Sequence, residues 1–366
     1  MLSECRRETA RTDGFLGNLS TSNIRLEVLE STPMATPQKK MEYVRLGPSG
    51  LKISKIVLGC MSYGYEKWGG NWVLPEEEET KHIKAAYDAG INAFDTANVY
   101  PNGLSEEVLG RALKTHNIPR EEIVILTKVF YGLSRKHIFD SVQASLRHLQ
   151  VDYIDVLQCH GFDYNTPIEE AMQALHDIVK AGYVRYIGMS SCYAYQFHAM
   201  QNHATNNNLT KFISMQNHYN LVYREEEREM FPTLKQFGVS AIPWSPLARG
   251  ALTRPLAGQL EGKETARGES DTAMPPSTYT QSLGNQKVIE RVEEIATKRG
   301  VKMAQIGIAW LLSKEGVSAP IVGTTSLKYL AEAVDAIHIK LTEDEIKYLE
   351  EPYQPMPTLG ILAQER

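Results

Sequence analysis

Four residues in the first half of this chain have types that could share proton chemistry: Asp95, Tyr100, Lys128 and His160. Asp95 ends the apolar run Ile91-Asn92-Ala93-Phe94, and Tyr100 follows it just ahead of a Pro101-Asn102-Gly103 turn. Lys128 closes Ile125-Leu126-Thr127-Lys128, and His160 closes Leu157-Gln158-Cys159-His160. A phenol, with a pKa of about 10, is a poor acid at neutral pH. A lysine ammonium beside it favours the phenolate and is expected to lower that value. A carboxylate next to the lysine keeps it charged and oriented, and a histidine opposite can hydrogen-bond a carbonyl oxygen. Together they make a general acid aimed at a developing alkoxide. That suits reduction of a carbonyl by hydride, which calls for a nicotinamide. Singly, each residue has a plainer reading: a turn or cap aspartate, a solvated lysine, a hydrogen-bonded structural histidine. Their joint placement after successive strands is what raises them.

The positioning elements follow from the alternation of apolar runs and helical patterns. Tyr43–Leu46 and Leu51–Ile53 flank a Gly47-Pro48-Ser49-Gly50 turn and read as a hairpin. Eight buried-type strands follow: Ile56–Gly59, Ile91–Phe94, Ile123–Leu126, Tyr153–Leu157, Val184–Ile187, Phe212–Met215, Val239–Ile242 and Pro320–Val322. Between them lie helical patterns, such as Ile138, Val142, Leu146 and Leu149 on one face. Pro75 and Glu76 to Glu79 open one helix, with Gly90 to stop it. Ser105 opens another, with Glu106 and Glu107 in its first turn. Thr166-Pro167-Ile168-Glu169 reads as a capping box, Gly182 as a helix stop, and Thr342 to Glu345 as the cap of the last helix. The pattern predicts an α/β fold, a (β/α)8 TIM barrel with an N-terminal β-hairpin, whose strand ends converge at one mouth. A doubly wound dinucleotide fold would want G-x-G-x-x-G after an early strand, and no G-x-G occurs. The aperiodic stretch from Leu252 to about Asn285 reads as a functional lid or as disorder, and its place just after Pro243 to Gly250 favours a lid.

With 366 residues, net charge −5 and 42% hydrophobic content, the chain can hold one large barrel domain. Its mild acidity argues against nucleic acid as a partner. No apolar run is long enough to span a membrane. Cys5, Cys60, Cys159 and Cys192 form no C-x-x-C pair, which points to a reducing compartment, the cytoplasm. No clustered His or acid spacing suggests a metal. Residues 1–40 are polar and aperiodic and are expected to be a disordered extension ahead of a barrel domain at 41–366.

The motif Phe94-Asp95-Thr96-Ala97-Asn98-Val99-Tyr100, the following Gly103-Leu104-Ser105-Glu106, the Thr127-Lys128 pair and the Asp155-to-His160 segment resemble the aldo-keto reductase family. The likeness covers about residues 43 to 357. It implies a catalytic tetrad of Asp95, Tyr100, Lys128 and His160, and NADPH/NADP+ bound across the barrel mouth. By the same resemblance, Ser190, Ser191 and Gln216 hold the nicotinamide carboxamide and Trp244 stacks on its ring. Ser245, Leu247 and Arg249 meet the pyrophosphate. Gly323, Thr324, Thr325, Ser326 and Lys328 meet the adenosine 2′-phosphate, and Glu332 reaches adenine. Gln216 to Glu227 and the ending Leu349 to Pro355 look like the fungal members typified by versiconal hemiacetal acetate reductase. That implies a small-molecule carbonyl substrate, in secondary metabolism. Tyr63, Trp68, Trp72, Phe130, Tyr131, Phe162 and Tyr164, on loops after the strands, suit flat apolar carbonyls. Two rival readings stand beside this one. One is a regulatory binding protein like the potassium-channel β subunits that resemble the family. The other is a lyase or isomerase barrel using Lys128 as a Schiff-base residue.

Overall fold

The computed structural model describes residues 41–64, 73, 74, 76–261, 265, 269 and 275–361. The expected extension at 1–40, Trp68 and Trp72 lie outside them, as does part of the expected lid.

The hairpin forms as expected. Strands β1 (Tyr43–Arg45) and β2 (Lys52–Ser54) pair antiparallel, Val44 facing Ile53. Eight parallel strands follow: β3 (Val57–Gly59), β4 (Ala93–Asp95), β5 (Val124–Val129), β6 (Ile154–Cys159), β7 (Val184–Ser190), β8 (Phe212–Gln216), β9 (Ser240–Ala241) and β10 (Ile321–Val322). Their hydrogen-bonded order is β10-β3-β4-β5-β6-β7-β8-β9. The ring closes where the Ile321 N–H donates to the Pro243 carbonyl, at 2.9 Å, so the fold is a (β/α)8 barrel. These strands are continuous apolar runs because both faces are covered, by the barrel interior and by helices.

The hairpin plugs the N-terminal end of the barrel. Leu46 and Ile53, both fully buried, pack with Val57, Ala93, Val124, Val156 and Ile213 at the strand starts. The seat is tight at Gly47. Its φ is +56°, and a Cβ there would lie 2.0 Å from the Ile213 carbonyl oxygen, so only glycine fits. With this end shut, any small molecule must enter at the carboxyl ends of the strands.

Eleven helices of five residues or more lie among the described residues. Those that position the site are α1 (Glu76–Asp88), α2 (Leu104–Thr115), α3 (Arg135–Leu149) and α4 (Ile168–Lys180). Gly90 and Gly182 stop α1 and α4 in left-handed conformation, as their positions predict. The last helix, Glu343–Glu350, carries the expected capping box. Two cap expectations fail. Ser105 is inside α2, not ahead of it, and its hydroxyl meets Thr96 Oγ1 and the Cys60 carbonyl, each at 2.8 Å. Thr166 is not a capping box residue, because its hydroxyl donates to Asp163 at 2.5 Å and Pro167 is the N-cap. The 252–285 segment is anchored by its described ends: Leu252, Leu256 and Tyr279 are buried, and a helix already begins at Leu283.

Candidate active site

The barrel brings the four predicted residues together. Asp95 is the last residue of β4, and Lys128 stands near the end of the adjacent β5. His160 directly follows β6, its N–H donating to the Val129 carbonyl at 3.0 Å. Tyr100 starts a 3-10 turn, Tyr100–Gly103, that leads into α2. The turn is built by Asn102 and Gly103, both at positive φ, which swing the chain from the strand end into the helix.

Lys128 is the centre of this set and is 1% exposed. Its ammonium donates to Asp95 Oδ2 at 2.6 Å, to the Thr96 carbonyl at 2.8 Å and to the Tyr100 hydroxyl at 3.3 Å. Three N–H bonds thus find three acceptors, and the group has one orientation. The other carboxylate oxygen of Asp95 accepts from Gln158 Nε2 at 3.0 Å and Gln216 Nε2 at 2.8 Å. Gln216 spends its second amide proton on Gln158 Oε1, at 3.0 Å. Gln158 was not among the expected site residues; its one signal in the sequence is the inward phase of β6, two residues before His160.

The electrostatics follow from burial. Burial works against the Lys128 charge, but Asp95 and Tyr100 together outweigh it and hold the ammonium above its usual range. Burial pushes the Tyr100 phenol up, and the pull of Lys128 does not cancel it. The expected lowering of the tyrosine is therefore corrected: the phenol is fully protonated at neutral pH. Burial, with Lys128 nearby, pushes His160 down to about 3, so its imidazole is neutral. The His160 ring meets Tyr100 edge-on at 5.6 Å and Phe130 edge-on at 5.1 Å.

A second group of expected residues lies on β7, β8 and the turn after β9. The Ser190 hydroxyl donates to the Gln216 carbonyl at 2.7 Å, and Trp244 Nε1 donates to Ser191 Oγ at 3.2 Å. Trp244 stacks on His218 at 4.3 Å, and His218 stacks on Tyr223 at 4.1 Å. Burial, aided by Arg249, pushes His218 down to about 3, so this stack is neutral. Gly360, near the C-terminus, also abuts Trp244, where a Cβ would lie 2.4 Å from the indole. Neither neighbour was foreseen. Leu247 packs against the core, and Ser245, Ala248, Arg249 and Gly250 all have positive φ. The turn is closed on itself, the Ala248 N–H donating to the Ser245 carbonyl at 3.0 Å and the Gly250 N–H to the Leu247 carbonyl at 2.9 Å. Gly323 to Ser326 follow β10, where Ser326 N–H donates to Thr324 Oγ1 at 3.1 Å. Lys328 is mostly exposed, 4.0 Å from Glu332. Among the described residues no cluster could hold a metal ion, and no helix is long and apolar enough to cross a membrane.

Known proteins match along most of this length. The chain is 48% identical over 342 residues to versiconal hemiacetal acetate reductase of Aspergillus parasiticus, covering 86% of this chain and 98% of that protein. It is 47% identical over 353 residues to a Schizosaccharomyces pombe protein with the provisional name aryl-alcohol dehydrogenase, covering 87% and 97%. It is 43% identical over 350 residues to an aldo-keto reductase of Alternaria alternata, covering 87% and 93%. A model of the aldo/keto reductase family matches residues 55–354. The barrel, the strand-end side chains and these matches agree, and the chain belongs to the aldo/keto reductase family.

Proposed function

We propose that this protein reduces an aldehyde or ketone, or a hemiacetal opening to its aldehyde, to an alcohol at the expense of NADPH, with Tyr100 as the general acid. The observation that carries the reading is the buried Lys128 ammonium, 2.6 Å from Asp95 and 3.3 Å from the Tyr100 hydroxyl. Tyr100, protonated at neutral pH, gives its proton to the oxygen that becomes the alcohol. Lys128 stabilises the phenolate left behind, and Asp95 keeps Lys128 charged. The neutral His160 offers a ring N–H to the carbonyl oxygen and adds no competing charge. NADPH, when bound, supplies the hydride.

The residues fit that cofactor. Trp244, held flat by His218, offers an aromatic face to the nicotinamide, with Ser190, Ser191 and Gln216 beside it for the carboxamide. The turn at Ser245 to Gly250 suits a pyrophosphate, with Leu247 and Arg249 in it, because the Arg249 charge acts on both Tyr100 and His218 and so lies beside the site. Gly323, Thr324, Thr325 and Ser326 lead into the positive end of a nine-residue helix, Leu327–Asp335, that carries Lys328 and Glu332. This favours a 2′-phosphate at Lys328 and the adenine near Glu332. Lys328→Ala should raise the KM for NADPH by about tenfold, one charge-assisted contact, and leave that for NADH nearly unchanged. Steady-state kinetics with both cofactors checks this, and equal effects would remove Lys328 from the phosphate site.

The substrate class rests on the mouth aromatics. Phe130 meets Tyr131 at 4.5 Å as well as His160, and Phe162 meets Tyr164 at 5.1 Å. Tyr63, expected among them, is fully buried in the core and meets His82 of α1 edge-on instead. The names of two relatives, a hemiacetal acetate reductase and an aryl-alcohol dehydrogenase, support a hemiacetal-derived or aryl carbonyl. An NADPH-oxidation screen should rank aryl aldehydes above glyceraldehyde and glucose in kcat/KM; the reverse order would overturn this class. The reductase and dehydrogenase names of the relatives favour an enzyme over a channel-type regulatory subunit. A Schiff-base role for Lys128 is disfavoured because Asp95 holds it as an ammonium, which is not a nucleophile.

A further inference from the structure

The Gly103-Leu104-Ser105-Glu106 stretch takes no part in the proton transfer described above. Three of its residues nonetheless brace the segments that carry it. The Ser105 hydroxyl meets Thr96, the neighbour of Asp95, at 2.8 Å. The Glu106 carboxylate is fully buried and accepts from the hydroxyl of Thr127, the neighbour of Lys128, at 2.6 Å. Its other oxygen lies 3.1 Å from Nδ1 of His148, on α3. Gly103, at the end of the Tyr100 turn, has φ +93°, and a Cβ there would lie 2.6 Å from the His148 ring. The imidazole is therefore wedged between the Tyr100 turn and the buried carboxylate. The two helices close on this point: at Gly110 of α2 a Cβ would lie 2.5 Å from the Leu149 carbonyl oxygen of α3.

A fully buried carboxylate is costly unless a cation and hydrogen bonds satisfy it. Here the cation is a histidine with 31% of its side chain exposed, so it can lose its proton to solvent. We propose that Glu106 and His148 are positioning residues: their charge pair holds Lys128 and the Tyr100 turn in register, and proton transfer weakens when His148 becomes neutral. This rests on the reading of Tyr100 as the acid. The hydrogen bond to Glu106 raises the His148 pKa above its ordinary value, burial opposes, the charges of Glu106 and Glu107 add, and Arg147 opposes. A raised histidine contributes fully below its unfolded value of about 6.5 and loses that contribution as pH rises through its folded value. Tyr100 is raised as well, so it cannot supply a loss of rate at that lower pH.

The test is kcat against pH for the full chain with NADPH and an aryl aldehyde, comparing wild type, His148→Arg, His148→Gln and Tyr100→Phe. Wild-type kcat should fall by about three- to tenfold across the His148 transition, with the KM for NADPH flat. His148→Arg keeps the charge and should hold the acid-side rate throughout. His148→Gln should stay at the lower rate at every pH. Superimposable profiles for wild type and His148→Arg would overturn the proposal. NMR of the wild-type His148 Cε1 proton decides independently of how the variants fold: its midpoint should match that of kcat, and a different midpoint overturns the proposal. The Tyr100→Phe arm separates the two readings. Normal turnover there removes the acid, whereas an inactive Tyr100→Phe with superimposable His148 profiles removes only the positioning pair.

Discussion

Tyr100→Phe should lower kcat for carbonyl reduction by about 10²–10⁴, the usual worth of a positioned acid. The change deletes one oxygen and keeps the ring, with its edge contact to His160 and its place under the Lys128 ammonium, 4.9 Å from the ring centre. Lys128 keeps two of its three acceptors, Asp95 and the Thr96 carbonyl, so the fold should melt close to the wild-type temperature. Affinity for NADPH should hold, because Trp244, Gln216 and the Lys328 helix do not depend on that hydroxyl. Fluorescence titration with NADPH and single-turnover mixing with an aryl aldehyde measure the two separately. Turnover near the wild-type rate would end the assignment of Tyr100. The pH dependence has a definite sign. With the phenol raised by burial, its proton is available up to at least the ordinary tyrosine range of about 10. Loss of reduction rate below that range belongs to another group.

The eight strands and the four strand-end side chains were legible because both depend on short-range pattern. A parallel strand buried on two faces is a continuous apolar run, so Ile91–Phe94 was read within two residues of the observed Ala93–Asp95. Closing the barrel then brings Asp95, Lys128 and His160 together without further information. What stayed hidden depends on partners far along the chain. Ser105 looked like a helix cap, but its hydroxyl is taken by the Cys60 carbonyl, 45 residues away. Thr166 looked like a capping box, but Asp163, which also accepts the Leu133 N–H at 2.8 Å, claims it to tie two mouth loops together. Nothing local marks His218 and Gly360 as neighbours of Trp244, since one arrives from the loop after β8 and the other from the chain end. The sign of the Tyr100 shift was misread for a related reason. The lysine that lowers it is visible as a motif, whereas the burial that raises it is a property of the packed barrel.

Lys128→Met should be both inactive and unstable, for separable reasons. The Lys128 and Asp95 side chains are 0% and 4% exposed, so deleting the cation strands a buried anion. Only the amides of Gln158 and Gln216 then remain on that carboxylate. Breaking a buried pair in this way costs about 3–5 kcal/mol, which for a domain of this size lowers Tm by on the order of 10 °C. Catalysis should fall by about 10²–10⁴, as for Tyr100→Phe, because no charge stabilises the phenolate. Asp95→Asn alone should do less, since it removes the charge that favours the ammonium but leaves the Thr96 carbonyl and the Tyr100 hydroxyl to hold Lys128 in place. Added to Lys128→Met, Asp95→Asn removes the stranded anion while keeping an oxygen for both glutamines. That double variant should regain most of the lost Tm and none of the lost activity. The pairing of Tyr100→Phe with Lys128→Met gives the sharper result. If the two groups act as one unit, the double variant should be little slower than either single one. Losses that multiply would place the work of Lys128 elsewhere, and a Lys128→Met protein that melts with wild type would mean Asp95 never carried the charge that the 2.6 Å contact implies.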